Sequence, residues 1–100
     1  SYLEQHGLTL IKKNYQTRFG EIDLIMQDGK SIVFVEVRLR KNNIFGGASE
    51  SITQAKQRKI GKVAEQFLQH HGNQACRFDA ILMDKADIQH IQWIKHAFEV

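Results

Sequence analysis

The stretch that decides the reading is GEIDLIMQDGKSIVFVEVRLR, Gly20 to Arg40. It reads as two apolar strands about a tight turn. Ile22, Leu24, Ile25 and Met26 make the first half apolar, β-branched and aromatic side chains dominate the second, and Asp28-Gly29 between them is the dipeptide a type I′ hairpin favours. Yet Glu21, Asp23 and Glu36 sit inside this hydrophobic hairpin. A two-residue turn at Asp28-Gly29 makes Gln27 face Lys30, Glu21 face Glu36 and Asp23 face Phe34. Strand side chains alternate between faces. Ile22, Leu24, Met26, Val33, Val35 and Val37 therefore share one wholly apolar face. Glu21, Asp23, Ile25, Ile32, Phe34, Glu36 and Arg38 share the other. In that register Asp23 and Glu36 are diagonal neighbours with backbones about 7–8 Å apart, and Arg38 stands beside them.

Working outward, residues 2–6 read as the tail of a helix stopped by Gly7. Residues 8–13 alternate as a first strand, and 15–19 form a polar connection. The hairpin strands cover 21–27 and 31–38. Residues 41–47 form a loop holding Asn42-Asn43 and Gly46-Gly47. A long helix opens on a capping box formed by Ser51 and Gln54. It carries Ile52, Ala55, Ile60, Val63, Ala64, Phe67 and Leu68 near helical spacing and ends at Gly72. Strands over 76–83 and 88–94 close the chain. A strand, a long helix and a further strand imply a crossover into a mixed sheet. The expectation is one α/β domain spanning 1–100, a mixed sheet led by an antiparallel hairpin and flanked by helices. Its N-terminal helix is read as incomplete, since the chain opens on Ser1 with a helix already ending.

Composition narrows the function classes. One hundred residues with 42% hydrophobic content support one domain with a modest core. No apolar run approaches the roughly 20 residues of a membrane helix, and no signal-peptide pattern is present. A lone cysteine, Cys76, excludes an internal disulfide and a cysteine zinc site, which suits a reducing, cytoplasmic setting. Cys76 itself is expected to pack as a small apolar residue. A net charge of +3 permits a nucleic-acid partner without requiring one. With no glycine-rich phosphate loop leading into a helix, a nucleotide cofactor is not indicated.

The hairpin acids carry the chemistry. Like charges so placed repel, and burial makes each costly. A divalent cation such as Mg2+ or Mn2+ removes both penalties, with water and a phosphate oxygen completing its shell. Two acids from adjacent strands and a cation two residues on suit metal-assisted phosphodiester hydrolysis. Glu21 is either a third ligand or a rim acid. The plain alternative is a scaffold in which the acids only pair with Arg18, Arg38 or Arg77. A third reading is a module that holds nucleic acid without cutting it.

The acid on one strand followed by acid-x-cation on the next resembles the PD-(D/E)XK nuclease superfamily, the restriction-endonuclease-like fold. The match falls on Asp23 and on Glu36-Val37-Arg38. More closely, GEIDLI, FVEVR, FGGASESI, the lysine-rich helix after it and CRFDAI are similar to the YraN family of small bacterial proteins, from about Tyr2 to Phe98. The resemblance implies a fold similar to Holliday-junction resolvases and a magnesium- or manganese-dependent endonuclease acting on DNA, branched DNA included. Asp23, Glu36 and Arg38 would be catalytic, and Asp23, Glu36 and Glu21 would bind metal. A homodimer would match a symmetric junction. This sequence departs from the superfamily at Arg38, where lysine is usual. Arginine stays protonated, so it can hold water or offset charge but cannot act as a base. Family members also begin earlier, with a helix carrying a glutamate, and Glu4 is not equated with it.

Phosphate contacts are expected from Lys56 and Arg58 on the long helix and from Arg40 and Lys41 in the loop beside the acids. Against this, a run such as Lys56, Arg58, Lys59 and Lys62 also describes an ordinary solvated helix face. Asp79, in an apolar strand, is expected to accept structural hydrogen bonds. His70 and His71 complement the helix dipole. Trp93 and Phe98 read as core.

Overall fold

A computed structural model describes residues 2–40, 52–84 and 89–100. A short helix α1 (Tyr2–Gln5) leads into strands β1 (Thr9–Thr17), β2 (Gly20–Asp28) and β3 (Ser31–Arg40). Helix α2 (Gln54–His71) follows, then β4 (Cys76–Asp84) and β5 (Ile91–Phe98). The strands form one sheet in the order β1-β2-β3-β4-β5. β1, β2 and β3 meander antiparallel, β4 runs parallel to β3, and β5 returns antiparallel to β4. A parallel neighbour needs a long crossover, and α2 supplies it. The architecture is an α/β mixed sheet flanked by helices, compatible with a restriction-endonuclease-like fold.

The sheet has two differently covered faces. On one, Ile25, Ile32, Phe34, Phe78 and Ala80 pack against Ile60, Val63, Ala64 and Phe67 of α2. Phe67 meets both Phe34 and Tyr15 edge-on, with ring centroids 6.0 and 5.4 Å away. On the other, Met26, Val33, Val35 and Ile81 pack with Leu3 and Leu8, so α1 and its glycine stop cover part of that face. Gly7 adopts φ +94, which L residues rarely reach. The N–H of Leu8 closes on the carbonyl of Leu3 at 3.1 Å.

Several local expectations need correction. The hairpin turn is Gly29-Lys30, because Asp28 pairs with Ser31. Gly29 takes the left-handed conformation at φ +59, and the register moves by two from the expected one. β1 runs on to Thr17 through the stretch read as a connection, and β5 reaches Phe98. Helix α2 is capped by Thr53, whose Oγ1 accepts the N–H of Lys56 at 3.2 Å. Ser51 and the glycine-rich loop lie outside the described residues. Cys76 is exposed, not packed, because it opens β4 at the rim of the sheet. Gly72 does end α2, its N–H bonded to the carbonyl of Leu68 at 2.9 Å.

Candidate metal and phosphate site

The corrected register changes the geometry of the acids. Counting back from Asp28↔Ser31, the printed ladder stops at Leu24↔Val35, and the next opposed positions are Asp23 and Glu36. The two acids are therefore directly opposed, not diagonal. Here side chains replace the backbone ladder. The N–H of Val37 donates to Asp23 Oδ2 at 2.8 Å, and the N–H of Asp23 donates to Glu36 Oε2 at 3.3 Å. The strands part at this point and each carboxylate satisfies the amide its neighbour leaves open.

The alternation of β2 breaks at the same place. Ile22 packs on the α2 face with Ile25, whereas Leu24 lies on the opposite face. Residues two apart thus point opposite ways, against the single face expected for Ile22, Leu24 and Met26. On β1, Asn14 stands between the paired positions Lys13↔Leu24 and Tyr15↔Ile22, opposite Asp23. Its φ is +52, a conformation asparagine tolerates better than most residues. The residue went unnoticed in the sequence. Asparagine among β-formers, facing an acid, was the available signal.

Glu36 is 2% exposed. It lies at a position on β3 that faces α2, since Ile32 and Phe34 do so. Burial, and then the nearby Asp23 carboxylate, push its pKa from 4.5 up to about 7; the Asp23 amide, Arg38 and Lys56 act in the opposite direction. Its polar contacts are long. Arg38 Nη2 reaches Glu36 Oε1 at 3.4 Å, while Nη1 donates to the Val37 carbonyl at 3.3 Å. Lys56 shares a helical face with Ile60, Val63 and Phe67 by i, i+4, i+7, i+11 spacing. It is exposed at the open end of that stripe, close enough for its charge to act on Glu36.

The remaining candidates are placed elsewhere. Glu21 is half-buried and its Oε2 accepts the side-chain amide of Gln16 at 2.9 Å. Arg58 follows Lys56 by two residues, about 200° round the helix, and borders a small cleft with Gln54, Gln57, Glu99 and Val100. Arg40 pairs through its backbone with Asp84, but its side chain and Lys41 lie outside the described residues. No group of three or more His, Cys, Asp or Glu side chains gathers among the described residues. The site is a pair of acids with two cations beside it. Both carboxylates keep lone pairs, Glu36 is destabilised as an anion, and such a set fits Mg2+ or Mn2+ bound largely through water and phosphate oxygens.

A second buried acid gives the contrast. Asp79 is 0% exposed. It sits where β5 bulges, between the pairs Phe78↔Phe98 and Ala80↔Ile94. It accepts from Arg77 Nε at 3.0 and 3.1 Å, from Trp93 Nε1 at 2.9 Å and from the His96 N–H at 3.1 Å. Arg77 continues to Asp28 Oδ2 at 2.9 Å. Asp79 is saturated by the protein, as a structural acid should be. Glu36 is not.

Residues 1–83 match the model of Uncharacterised protein family UPF0102. The chain is 56% identical over 97 residues to a UPF0102 protein of Methylobacillus flagellatus, covering 97% of this chain and 86% of that protein. It is 54% identical over 99 residues to one of Nitrosomonas eutropha, covering 98% and 84%, and 50% identical over 100 residues to one of Psychromonas ingrahamii, covering 99% and 81%. No helix among the described residues is long and apolar enough to cross a membrane. The chain belongs to the UPF0102 family, the YraN family to which its sequence blocks pointed.

Proposed function

We propose that the protein is a Mg2+- or Mn2+-dependent endonuclease of the Holliday-junction-resolvase kind, acting on DNA phosphodiester bonds. The observation that carries the reading is Glu36. It is a buried carboxyl opposed to a second carboxyl and held by long contacts, whereas the other buried acid among the described residues, Asp79, is fully satisfied. Asp23 and Glu36 would hold the cation, which polarises a phosphate oxygen and acidifies a water. Asp23 is locked by the Val37 amide, so it presents its other oxygen in a fixed direction. Arg38 offsets charge on the phosphate, and Lys56 draws the DNA backbone to the open end of the site. Glu21 would assist only by leaving Gln16.

The test is cleavage of end-labelled single-stranded, duplex and four-way-junction DNA with either metal, beside Asp23→Asn and Glu36→Gln. Metal-dependent cutting lost in both variants supports the reading. Cutting that survives both refutes the site. A second reading, binding without cutting, is favoured by arginine standing at position 38. Tight binding to DNA without cleavage, and cleavage gained in Arg38→Lys, would select it.

A further inference from the structure

Strands β1 and β2 change faces at the same level. Tyr15 pairs with Ile22, and both pack on the α2 face. Two residues away along each strand, Lys13 pairs with Leu24. That pair borders a cleft with Val37 and Met83 on the opposite face. In a regular ladder residues two apart share a face, so both strands switch between these two pairs. The switching residues are Asn14 and the acid opposite it, Asp23. On β1 the switch has a visible cause: Asn14 has φ +52, a left-handed value that turns a strand out of its alternation. On β2 it falls on the residue whose N–H and carboxylate replace the ladder toward β3. One other non-glycine residue among those described has a positive φ, His96 at +52. It stands on the other edge strand, β5, and its N–H meets Asp79 Oδ1 at 3.1 Å. Each left-handed residue thus lies on an edge strand against an acid of the neighbouring inner strand.

We propose that Asn14 is a positioning residue. Its left-handed backbone lets β1 follow the face switch of β2. It thereby holds the Asp23 carboxylate where it accepts the Val37 amide and presents its other oxygen to a cation. The placement of Asp23 stands on the register and hydrogen bonds alone; the cation half rests on the reading of Asp23 and Glu36 as a metal site. A β1 with regular alternation would set Lys13 and Tyr15 on one face. Leu24 or Ile22 would then lose its paired neighbour, and β2 would be drawn toward ordinary alternation, with Asp23 turned away from Val37.

Amide hydrogen exchange of the metal-free protein, with EDTA present, reads the position of Asp23 through the Val37 N–H. The Ile32 N–H, bonded to the Ala75 carbonyl at 2.9 Å, lies on the same strand and serves as reference. Asn14→Val puts a β-branched residue where left-handed backbone is a true outlier. Val37 should then exchange about 10-fold faster relative to Ile32, the worth of a hydrogen bond to a charged acceptor. Asn14→Gly can keep φ +52 without penalty and should leave Val37 as in wild type. If Asn14→Val does not fold, Asn14→Ala applies a milder penalty at the same φ and takes its place. Mn2+ titrations followed by electron paramagnetic resonance should show the same pattern. Binding should weaken about 10-fold in Asn14→Val and stay at the wild-type level in Asn14→Gly. Val37 exchange unchanged relative to Ile32 in Asn14→Val and Asn14→Ala overturns the proposal. Equal loss in Asn14→Gly also overturns it, since the effect would then belong to the side-chain amide. If Val37 responds as expected but the wild-type protein binds no Mn2+, the placement of Asp23 by Asn14 stands and the metal reading falls.

Discussion

Replacing Glu36 by glutamine should remove a pH dependence of stability that the wild-type carboxyl imposes. The Glu36 carboxyl titrates near 7 in the folded protein against 4.5 in the reference state. The folded state therefore holds this proton more tightly than the unfolded chain does. A raised carboxyl pKa gives stability that is fully present below about pH 4.5 and is lost as pH climbs through about 7. At 1.36 kcal/mol per unit, the loss is about 3 kcal/mol across that window. Glutamine cannot ionise, so Glu36→Gln removes the loss. It also turns an amide toward Arg38, which now donates to Oε1, and that mismatch costs about 1 kcal/mol at every pH.

The difference between two pH values cancels the mismatch. Urea unfolding of the metal-free protein, with EDTA present, should therefore show the variant less stable than wild type at pH 4.5. At pH 8 it should be more stable, and the two values of ΔΔG should differ by about 3 kcal/mol. For a chain of this size that corresponds to a relative shift of roughly 12–24 °C in Tm. An equal ΔΔG at both pH values would falsify the claim that burial and Asp23 destabilise the Glu36 anion. Saturating Mg2+ or Mn2+ at pH 8 should raise wild-type stability and leave the variant almost unmoved, since ligand stabilises only a state that binds it.

Other perturbations test separate parts of the structure. Arg38→Met removes a cation that lowers the Glu36 pKa, so a carboxyl-carbon NMR titration should place Glu36 above about 7. Asp79→Asn removes the charge that Arg77 Nε meets, and the Asp79–Arg77–Asp28 chain loses its buried end. The expected cost is about 3–5 kcal/mol by chemical denaturation, and a loss under 1 kcal/mol would contradict the assigned role. Gly29→Ala forces a side chain into φ +59 and should cost about 1–2 kcal/mol. Thr53→Ala frees the N–H of Lys56 and should cost about 1 kcal/mol.

How much of this was legible in the sequence depends on which rule governed each residue. The elements were legible because their signals are local. Gly7 and Gly72 stop the helices, apolar periodicity marks α2, and alternating branched residues mark the strands. The family blocks were equally plain. The two residues flanking Asp28-Gly29 fit a hairpin in two registers, and nothing within four residues separates them. Both registers leave Ile32 and Phe34 on the face that α2 covers, so face burial does not separate them either; in the observed one Gly29, at φ +59, opens a two-residue turn with Lys30.

The site resisted for a different physical reason. Alternation assumes an unbroken ladder, and the ladder breaks where Asp23 and Glu36 meet, because each carboxylate takes an amide that a carbonyl would otherwise take. Glu21 joined the predicted cluster by alternation alone, and the break at Asp23 leaves it beside Gln16. Lys56 did not depend on the ladder. Its place follows from helical spacing to Ile60 and Phe67, and its charge does reach Glu36. Pattern rules thus locate residues wherever backbone pairs with backbone. Where side chains take over that pairing, the same rules mark the position of the site by failing there, and the failing residues, Asp23, Glu36 and the opposing Asn14, are the ones to mutate first.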